Sequence, residues 1–442
     1  MVKLSGRFSQ LESSKVLVAG DLIMDSYTIG DVKRISPEAP VPILNVKRER
    51  MSPGGAGNVV LSLMAMGMEV SILGRIGNDS VGEEMKKKFA DYNANISGIL
   101  VDALYKTPIK NRIIAGDHQI VRVDYEDIKP LSKNVENIVM DHIPSLLEGV
   151  KIVAVSDYAK GFLTSKLLRM LIDSAKKREI PVIVDPKGTD FSIYRGAKVL
   201  KPNISEAFAA AKLPPTATLE EVAAKLFQEA DSDVIIITKS EDGIAVFQRD
   251  RVGYSDFPVN VREVNDVTGA GDTVLATLSC ALASGLSVSE SVQLSNFAAG
   301  IAVEHIGCCH VTLSQIARRL LESDVSNKIF GEEDLFALQQ VIKGRRYNIF
   351  SLCANGNFHP DIFESIRFLS GKKDVDLILY IKDPHPEEKR VGLLASLREV
   401  SVIILKSEGF EKICKMINPE GIYHINNGHL EDVPYLEKSF QS

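Results

Sequence analysis

Short apolar runs that end in polar residues recur along most of the chain, and this repetition limits the fold more than any single motif does. Lys15–Asp21 reads KVLVAGD. Ile152–Asp157, Pro181–Asp185 and Lys198–Asn203 follow the same plan, and Asp233–Phe247 reads as two strands around Lys239–Gly243. Apolar segments of this length, bounded by turn residues, are expected as buried strands. Helical stretches lie between them, among them residues 164–178, 270–284 and 289–304. Strands alternating with helices predict an α/β fold, a mostly parallel sheet covered on both faces. Ligands of such sheets bind beyond the carboxyl ends of the strands. The endings Gly20-Asp21, Ser156-Asp157, Asp185-Pro186-Lys187, Lys201-Pro202-Asn203 and Thr238-Lys239-Ser240 are therefore expected on one rim.

Asn265–Val274, NDVTGAGDTV, adds chemistry to that rim. Gly269 and Gly271 permit backbone angles that crowd amide N–H groups together. The helix that follows contributes unpaired N–H groups and the positive end of its dipole. Such a junction binds anions, typically phosphate. Asp272 stands inside it, and an acid there needs a task. The simplest is to take a proton from a hydroxyl that attacks a phosphate; the plain alternative is a helix cap.

The net charge of −6 argues against a broad nucleic-acid or membrane surface. No apolar run reaches the length of a membrane span, and MVKLSGRFSQLESSK has no apolar signal core, so a cytoplasmic protein is expected. The five cysteines form no CxxC pair and read as buried free thiols. Gly54–Gly67 reads as a buried helix, and Thr107–Asp124 as a hairpin turning at Gly116-Asp117.

Gly54-Gly55-Ala-Gly-Asn58 and Asp266-Val-Thr-Gly-Ala-Gly-Asp272-Thr resemble the ribokinase-like (PfkB) sugar kinases. The resemblance covers residues 15–320. Arg34-Ile-Ser-Pro-Glu-Ala-Pro-Val-Pro42, Ser156-Asp-Tyr-Ala-Lys-Gly161, Asp185-Pro-Lys-Gly-Thr-Asp-Phe191 and Pro202-Asn-Ile-Ser-Glu206 are similar to the kinase half of the bifunctional heptose 7-phosphate kinase/adenylyltransferases. The resemblance implies ATP as donor, D-glycero-β-D-manno-heptose 7-phosphate as acceptor, and a place in lipopolysaccharide precursor synthesis. It makes Asp272 the base and Gly269, Ala270 and Gly271 an anion hole. Asn203 and Glu206 match the motif that organises Mg²⁺ through water. Thr238, Ser240 and Gly243 match the strand-turn along the nucleotide, and Asn296 a helix beside the adenine. Asp266 and Thr268 match a monovalent-cation position, K⁺ in some relatives; a turn closed by Asp266 is an equally good reading.

On the acceptor side, Asp21, Gly55 and Asn58 match positions that contact sugar hydroxyls, with helix capping and tight packing as the alternative. The 7-phosphate needs cations, for which Arg34, Arg112, Arg122 and Lys187 are candidates. Asp157 and Lys160, in SDYAKG, are expected in the site without an assigned role. Residues 27–50 and 107–124 are expected to form a small β lid, and a homodimer is expected through it.

The organisation expected is a kinase domain over 1–325, a linker over 326–346 and a second, smaller α/β domain over 347–442. That tail resembles a shortened nucleotidyltransferase. The family's NG-x-FD appears as Asn355-Gly-Asn-Phe-His359, and no HxGH follows. Adenylyl transfer is therefore expected to be lost.

Overall fold

The computed structural model describes residues 3–4, 6–116, 118–259, 263–355, 360–372, 374–407, 410–426 and 429–432. Its contacts divide the chain into two units, Glu12–Thr312 and Leu313–Ser442 with Met1–Leu11.

In the first unit the strands are β1 (Lys15–Ile35), β2 (Pro42–Gly55), β3 (Glu69–Gly77), β4 (Asn95–Asp102), β5 (Ile109–Ala115), β6 (His118–Tyr125), β7 (Ile152–Ser156), β8 (Val182–Asp185), β9 (Val199–Leu200), β10 (Val234–Thr238), β11 (Ile244–Gln248) and β12 (Tyr254–Phe257). The helices are α1 (Ala56–Ala65), α2 (Ser80–Asp91), α3 (Lys133–Leu146), α4 (Ser165–Lys176), α5 (Ile204–Ala211), α6 (Leu219–Ala230), α7 (Ala270–Ala283) and α8 (Val288–Val303). The main sheet runs β12-β11-β10-β9-β8-β7-β1-β3-β4. It is parallel from β10 to β4; β11 runs against the rest, antiparallel to both β10 and β12. Strands after β1 build toward one edge and strands after β7 toward the other. The switch point lies between β1 and β7, where a crevice opens at the carboxyl ends of such a sheet. The runs read as strands are buried on both faces, as helices on both sides require.

The lid is larger than expected. β1 does not stop at Asp21; it runs on to Ile35, so one strand serves two sheets. Its first part pairs with β3 and β7, and its second part with β2 and β5. From Asp25 onward polar residues enter the strand and burial declines until Val32–Ile35 are exposed, which a half-covered lid tolerates and a sheet core does not. The hairpin of β5 and β6 is antiparallel and turns through Gly116, at φ 59°; Asp117 lies outside the described residues.

Asp79 fastens this lid to the body. Its carboxylate caps α2 by accepting Gly82 N–H at 2.8 Å. It also accepts from Thr107 N–H at 2.8 Å and Thr107 Oγ1 at 2.9 Å, just before β5 begins.

The second unit has six strands and five helices among the described residues. The strands are β13 (Ile329–Phe330), β14 (Arg346–Leu352), β15 (Val375–Ile381), β16 (Val402–Leu405), β17 (Gly421–Asn426) and β18 (His429–Asp432). The helices are α9 (Leu313–Ser323), α10 (Leu335–Ile342), α11 (Pro360–Ser370), α12 (Glu388–Ser396) and α13 (Phe410–Ile417). The order β13-β16-β15-β14-β17-β18 is parallel except for β18. The contacts separate the units at Thr312, and the stretch expected as a linker, 326–346, carries β13 and α10 of this unit. Its polar residues are spent on the chain's beginning: Asn327 Oδ1 accepts Leu4 N–H and Asp334 Oδ1 accepts Gly6 N–H, both at 2.9 Å. Gly356 to His359, where the nucleotidyltransferase signature was read, lie outside the described residues.

Replacing Asp79 with Ala removes three hydrogen bonds, one of them the helix cap, and is expected to cost about 2 kcal/mol in unfolding of the first unit. Burial pushes this carboxyl up, but the bonds from Thr107 and Gly82 outweigh it and hold it below its ordinary value of 3.8. The bonus is present above that value and fades as pH falls below it. Chemical denaturation of both proteins at pH 7 and pH 3 tests this; an unchanged midpoint at pH 7 refutes the anchor.

Candidate active site

The crevice between β1 and β7 is closed by a loop with a fixed shape. Asp21, at the point where β1 leaves the main sheet, is buried. Its Oδ2 accepts Tyr158 N–H at 2.9 Å and Lys160 N–H at 3.0 Å, and its Oδ1 accepts Phe162 N–H at 3.3 Å. The carboxylate expected on sugar hydroxyls thus shapes the loop after β7. Burial nevertheless raises its pKa, against these bonds. Asp157, next in that loop, accepts Tyr194 Oη and Ala159 N–H, each at 2.7 Å. Burial and the nearby Asp21 push it up to about 6.

Asp272 comes to the same crevice from above, in the first turn of α7. Gly269 precedes the helix at φ 78°, an angle that L side chains rarely adopt. A Cβ there would stand 2.7 Å from Asn58 Nδ2, so glycine also admits α1 beneath the turn. Asp272 is 4% exposed. Its Oδ2 accepts Asn58 Nδ2 at 2.9 Å and its Oδ1 accepts Tyr158 Oη at 2.8 Å. Both donors are uncharged, and no salt bridge engages this carboxylate among the described residues. Burial pushes its carboxyl up to about 7; the bonds from Asn58 and Tyr158 and the charge of Lys201 pull it down, and Asp185 pushes it up. A base with a pKa near the working pH is the efficient kind.

Beside Asp272 lies a cleft of about 500 Å³. Asn203, Glu206, Thr238, Ser240, Gly243 and Asn296 all line it, as do Ala270 and Gly271, so the residues expected around the nucleotide come together. Val264, Val267, Val274 and Val303 give part of it an apolar wall. Several of these residues also hold structure. Asn203 and Glu206 form a reciprocal capping box on α5. Asn296 Nδ2 donates to Pro258 O at 2.6 Å. Ala270 N–H donates to Val267 O at 3.2 Å, within the turn.

The cations sort differently from expectation. Lys187 pairs with Glu206 at 2.7 Å and lines this cleft rather than the lid. Arg34 is exposed near the tip of the lid, opposite Ile43. Arg112 pairs with Asp25 at 2.6 Å, and Arg122 with Asp124 at 2.8 Å. These two arginines face each other across β5 and β6. Lys160 pairs with Glu126 at 2.6 Å. Asp266 accepts Thr268 N–H through Oδ1 and Gly307 N–H through Oδ2, both at 2.9 Å, which is the turn closure weighed above for this residue. Gly55 takes φ 55° at the start of α1. Its neighbour Gly54 leaves room for Asp25: a Cβ there would fall 1.9 Å from Asp25 Oδ2.

Four residues of the site went without a role in the sequence reading. Tyr158 reaches Asp272 from within SDYAKG. Lys201, 2% exposed, pairs with Asp185 at 2.9 Å on the cleft wall beside Gly271. Asp25 receives Arg112. Lys110 sits 4.9 Å from the centre of the Tyr158 ring. The signal for Lys110 was present, because strand alternation puts it on the same face as Arg112.

The pfkB family carbohydrate kinase model matches residues 13–315. The bifunctional protein HldE of Trichlorobacter lovleyi is 41% identical over 346 residues, 77% of this chain and 69% of its own length. The bifunctional protein HldE of Pelobacter propionicus is 39% identical over 420 residues, 91% of this chain and 86% of its own. Among solved structures, phosphofructokinase-2 from Escherichia coli in complex with potassium aligns with a TM-score of 0.60 at 18% identity, covering 70% of this chain and 99% of its own. The ribokinase of Arabidopsis thaliana complexed with ribose and ATP gives 0.55 at 17% identity, with 70% and 99% covered. These two show the fold, and the family match and the curated relatives carry the rest: the chain belongs to the pfkB family of carbohydrate kinases and is an ATP-dependent sugar kinase.

Proposed function

We propose that this kinase transfers the γ-phosphoryl group of ATP to the C1 hydroxyl of D-glycero-β-D-manno-heptose 7-phosphate, giving the 1,7-bisphosphate. One observation carries the catalytic part of this reading. Asp272 is buried, held only by neutral donors, and stands beside a cleft lined by the Asn203 and Glu206 pair. Relatives named bifunctional protein HldE support the heptose.

In this reading ATP lies in the cleft with its base against the valine wall. Its phosphates point to the amino end of α7, whose dipole and amides favour anions. Asp272 takes the proton of the C1 hydroxyl as that oxygen bonds to the γ-phosphorus. The bond from the γ-phosphorus to the β-phosphate oxygen breaks, and ADP leaves. Lys201 and the first-turn amides offset the charge that builds during transfer. Asn58 Oδ1, buried without a hydrogen-bond partner, is suited to accept from a sugar hydroxyl.

Mg²⁺ fits this wall. Asp185 and Glu206 offer hard oxygens, and no group of three or more His, Cys, Asp or Glu among the described residues cages a metal. That suits an ion carried mainly by ATP phosphates and their waters. When bound, it would neutralise charge on the β- and γ-phosphates.

The 7-phosphate is assigned to the lid. Lys110, Arg112, Arg122 and Lys160 gather on its inner side, and burial, with help from Lys160 and Arg122, holds the Lys110 ammonium below its ordinary value despite Asp25. A dianionic phosphate relieves such crowding. The second unit is proposed not to transfer adenylyl groups, because the residue after Phe358 is His359 and no HxGH follows. A homodimer through the lid completes the reading, with a cytoplasmic location.

Turnover of ATP with heptose 7-phosphate, followed as ADP and as pyrophosphate, tests both halves. Wild type is expected to make ADP without pyrophosphate, even when supplied with heptose 1-phosphate. Asp272→Asn is expected to lose roughly 10²–10⁴ in kcat. The base works only when ionised, so wild-type kcat should fall as pH drops through about 7. ADP formation at the wild-type rate by Asp272→Asn refutes the base, and pyrophosphate refutes the inert second unit. Lys110→Met is expected to lower kcat/KM about tenfold or more for phosphorylated acceptors and little for unphosphorylated ones; equal losses remove Lys110 from phosphate recognition. Light scattering of the intact protein should return twice the mass of the 48.4 kDa chain, and a monomer would end the lid-dimer proposal.

A further inference from the structure

Tyr158 lies at the centre of the site, yet neither phosphoryl transfer nor nucleotide binding, as described above, asks anything of it. Its hydroxyl donates to Asp272 Oδ1 at 2.8 Å. Its backbone N–H donates to Asp21 Oδ2 at 2.9 Å, and the Lys110 ammonium lies 4.9 Å from the centre of its ring. One residue thus touches the base, the floor of the crevice and the lid.

The loop that carries it is held at every step. Asp21 accepts three of its N–H groups. Asp157 accepts Ala159 N–H, and Arg75 donates to Lys160 O at 3.2 Å. Ala159 sits at φ 54°, in the left-handed region, where a residue with a Cβ stays only when its surroundings impose it. Gly161, at φ 89°, packs so closely that a Cβ would fall 2.3 Å from Lys129 O. Strain and close packing of this kind fix a side chain's direction, and here the side chain held is the one bonded to Asp272.

The geometry points to Tyr158 as a positioning residue for the base. With Asn58 it fixes the plane of the Asp272 carboxylate, and it stabilises the ionised form that accepts the proton. The inference rests on Asp272 being that base.

The charge around the pair supports the assignment. Asp272 is faced by Asp185 and Lys201 from the ends of β8 and β9, and by Cys308. Tyr158 is faced by Asp272, Asp185, Asp25 and Lys110. Burial and the neighbouring Asp272 hold the phenol well above its ordinary value, so it keeps its proton, and donates, across the working range. A hydrogen bond donated to a carboxylate favours the charged form. Removing it should push the Asp272 carboxyl above about 7 and move the acid limb of the rate profile the same way.

The test compares pH profiles of kcat for wild type, Tyr158→Phe and Asp272→Asn. Phe keeps the ring against Lys110 and deletes only the donor. Tyr158→Phe is expected to move the acid limb upward by about one pH unit, as loss of a charge-assisted bond implies. Its kcat should fall roughly fivefold at pH 7 and recover most of the wild-type value at pH 9, with KM for ATP changed less than about twofold. A uniform loss at all pH values, or an unmoved limb, overturns the positioning role. Should Tyr158→Phe fold poorly, 3-fluorotyrosine at position 158 serves instead. Its more acidic phenol donates more strongly, and the limb should move downward; an upward or absent shift refutes the role. Asp272→Asn separates the two readings. If it keeps wild-type turnover, the base assignment fails. If it is inactive while the Tyr158 profiles do not move, only the positioning inference fails.

Discussion

The site depends on a carboxylate that is buried without a counter-ion. Three basic groups of the site have acids of their own. Lys201 is paired with Asp185, Lys187 with Glu206 and Arg112 with Asp25. Asp272 is left with an amide and a phenol. Had Lys201 turned to Asp272, the carboxylate would sit far below neutrality and make a feeble base. Two neutral hydrogen bonds keep it fixed in place while burial keeps its proton affinity high. The same pairs keep the cations oriented, and in the proposed reading a substrate phosphate would exchange with their carboxylates.

The topology delivers these groups to one place. β1 lies between β7 and β3, so Asp21 and the loop carrying Tyr158 stand on either side of the switch point. α7 brings Asp272 down on that point, and α1 brings Asn58 beneath it. β1 then leaves the main sheet and becomes the middle of the lid, so lid and crevice share one continuous backbone. The hydrogen bonds of Asp79 to Thr107 hold the other lid entry at the rim. Loop and lid are each held by an aspartate, the loop by Asp21 and the lid entry by Asp79.

Much of this was legible in the sequence, for a physical reason. Strands buried on both faces must be apolar throughout, so KVLVAGD and IVAVSD announce themselves and their polar ends mark the rim. A glycine-rich turn before an apolar helix reads as a candidate anion site, and Asp272 lies in the first turn of that helix. The lid was harder to read. Its residues carry no strong apolar signal, so a small β lid over 27–50 was expected, while the unbroken run of β1 from Lys15 through Asp25 to Ile35 was not read. Partners of charged groups were hardest, because pairing depends on distances between strands far apart in sequence. Arg112 and Lys187 look alike as cations; only the fold sends one to Asp25 and the other to Glu206. Asp21 shows the same limit: its place on the rim was read correctly, while its bonds to loop amides were not visible. In the second unit, the stretch 326–346 looked like a linker because its polar side chains bond to residues at the chain's start, which composition cannot reveal.

The account stands or falls on the proton affinity of one buried carboxyl. The most direct measurement follows the side-chain carboxyl carbons of protein labelled with ¹³C-aspartate across pH, the Asp272 signal being the one missing from the Asp272→Asn spectrum. A midpoint near 7 is the predicted result. A midpoint close to 3.8, the ordinary aspartate value, would mean that Asp272 is solvated or ion-paired in solution, and would contradict the account.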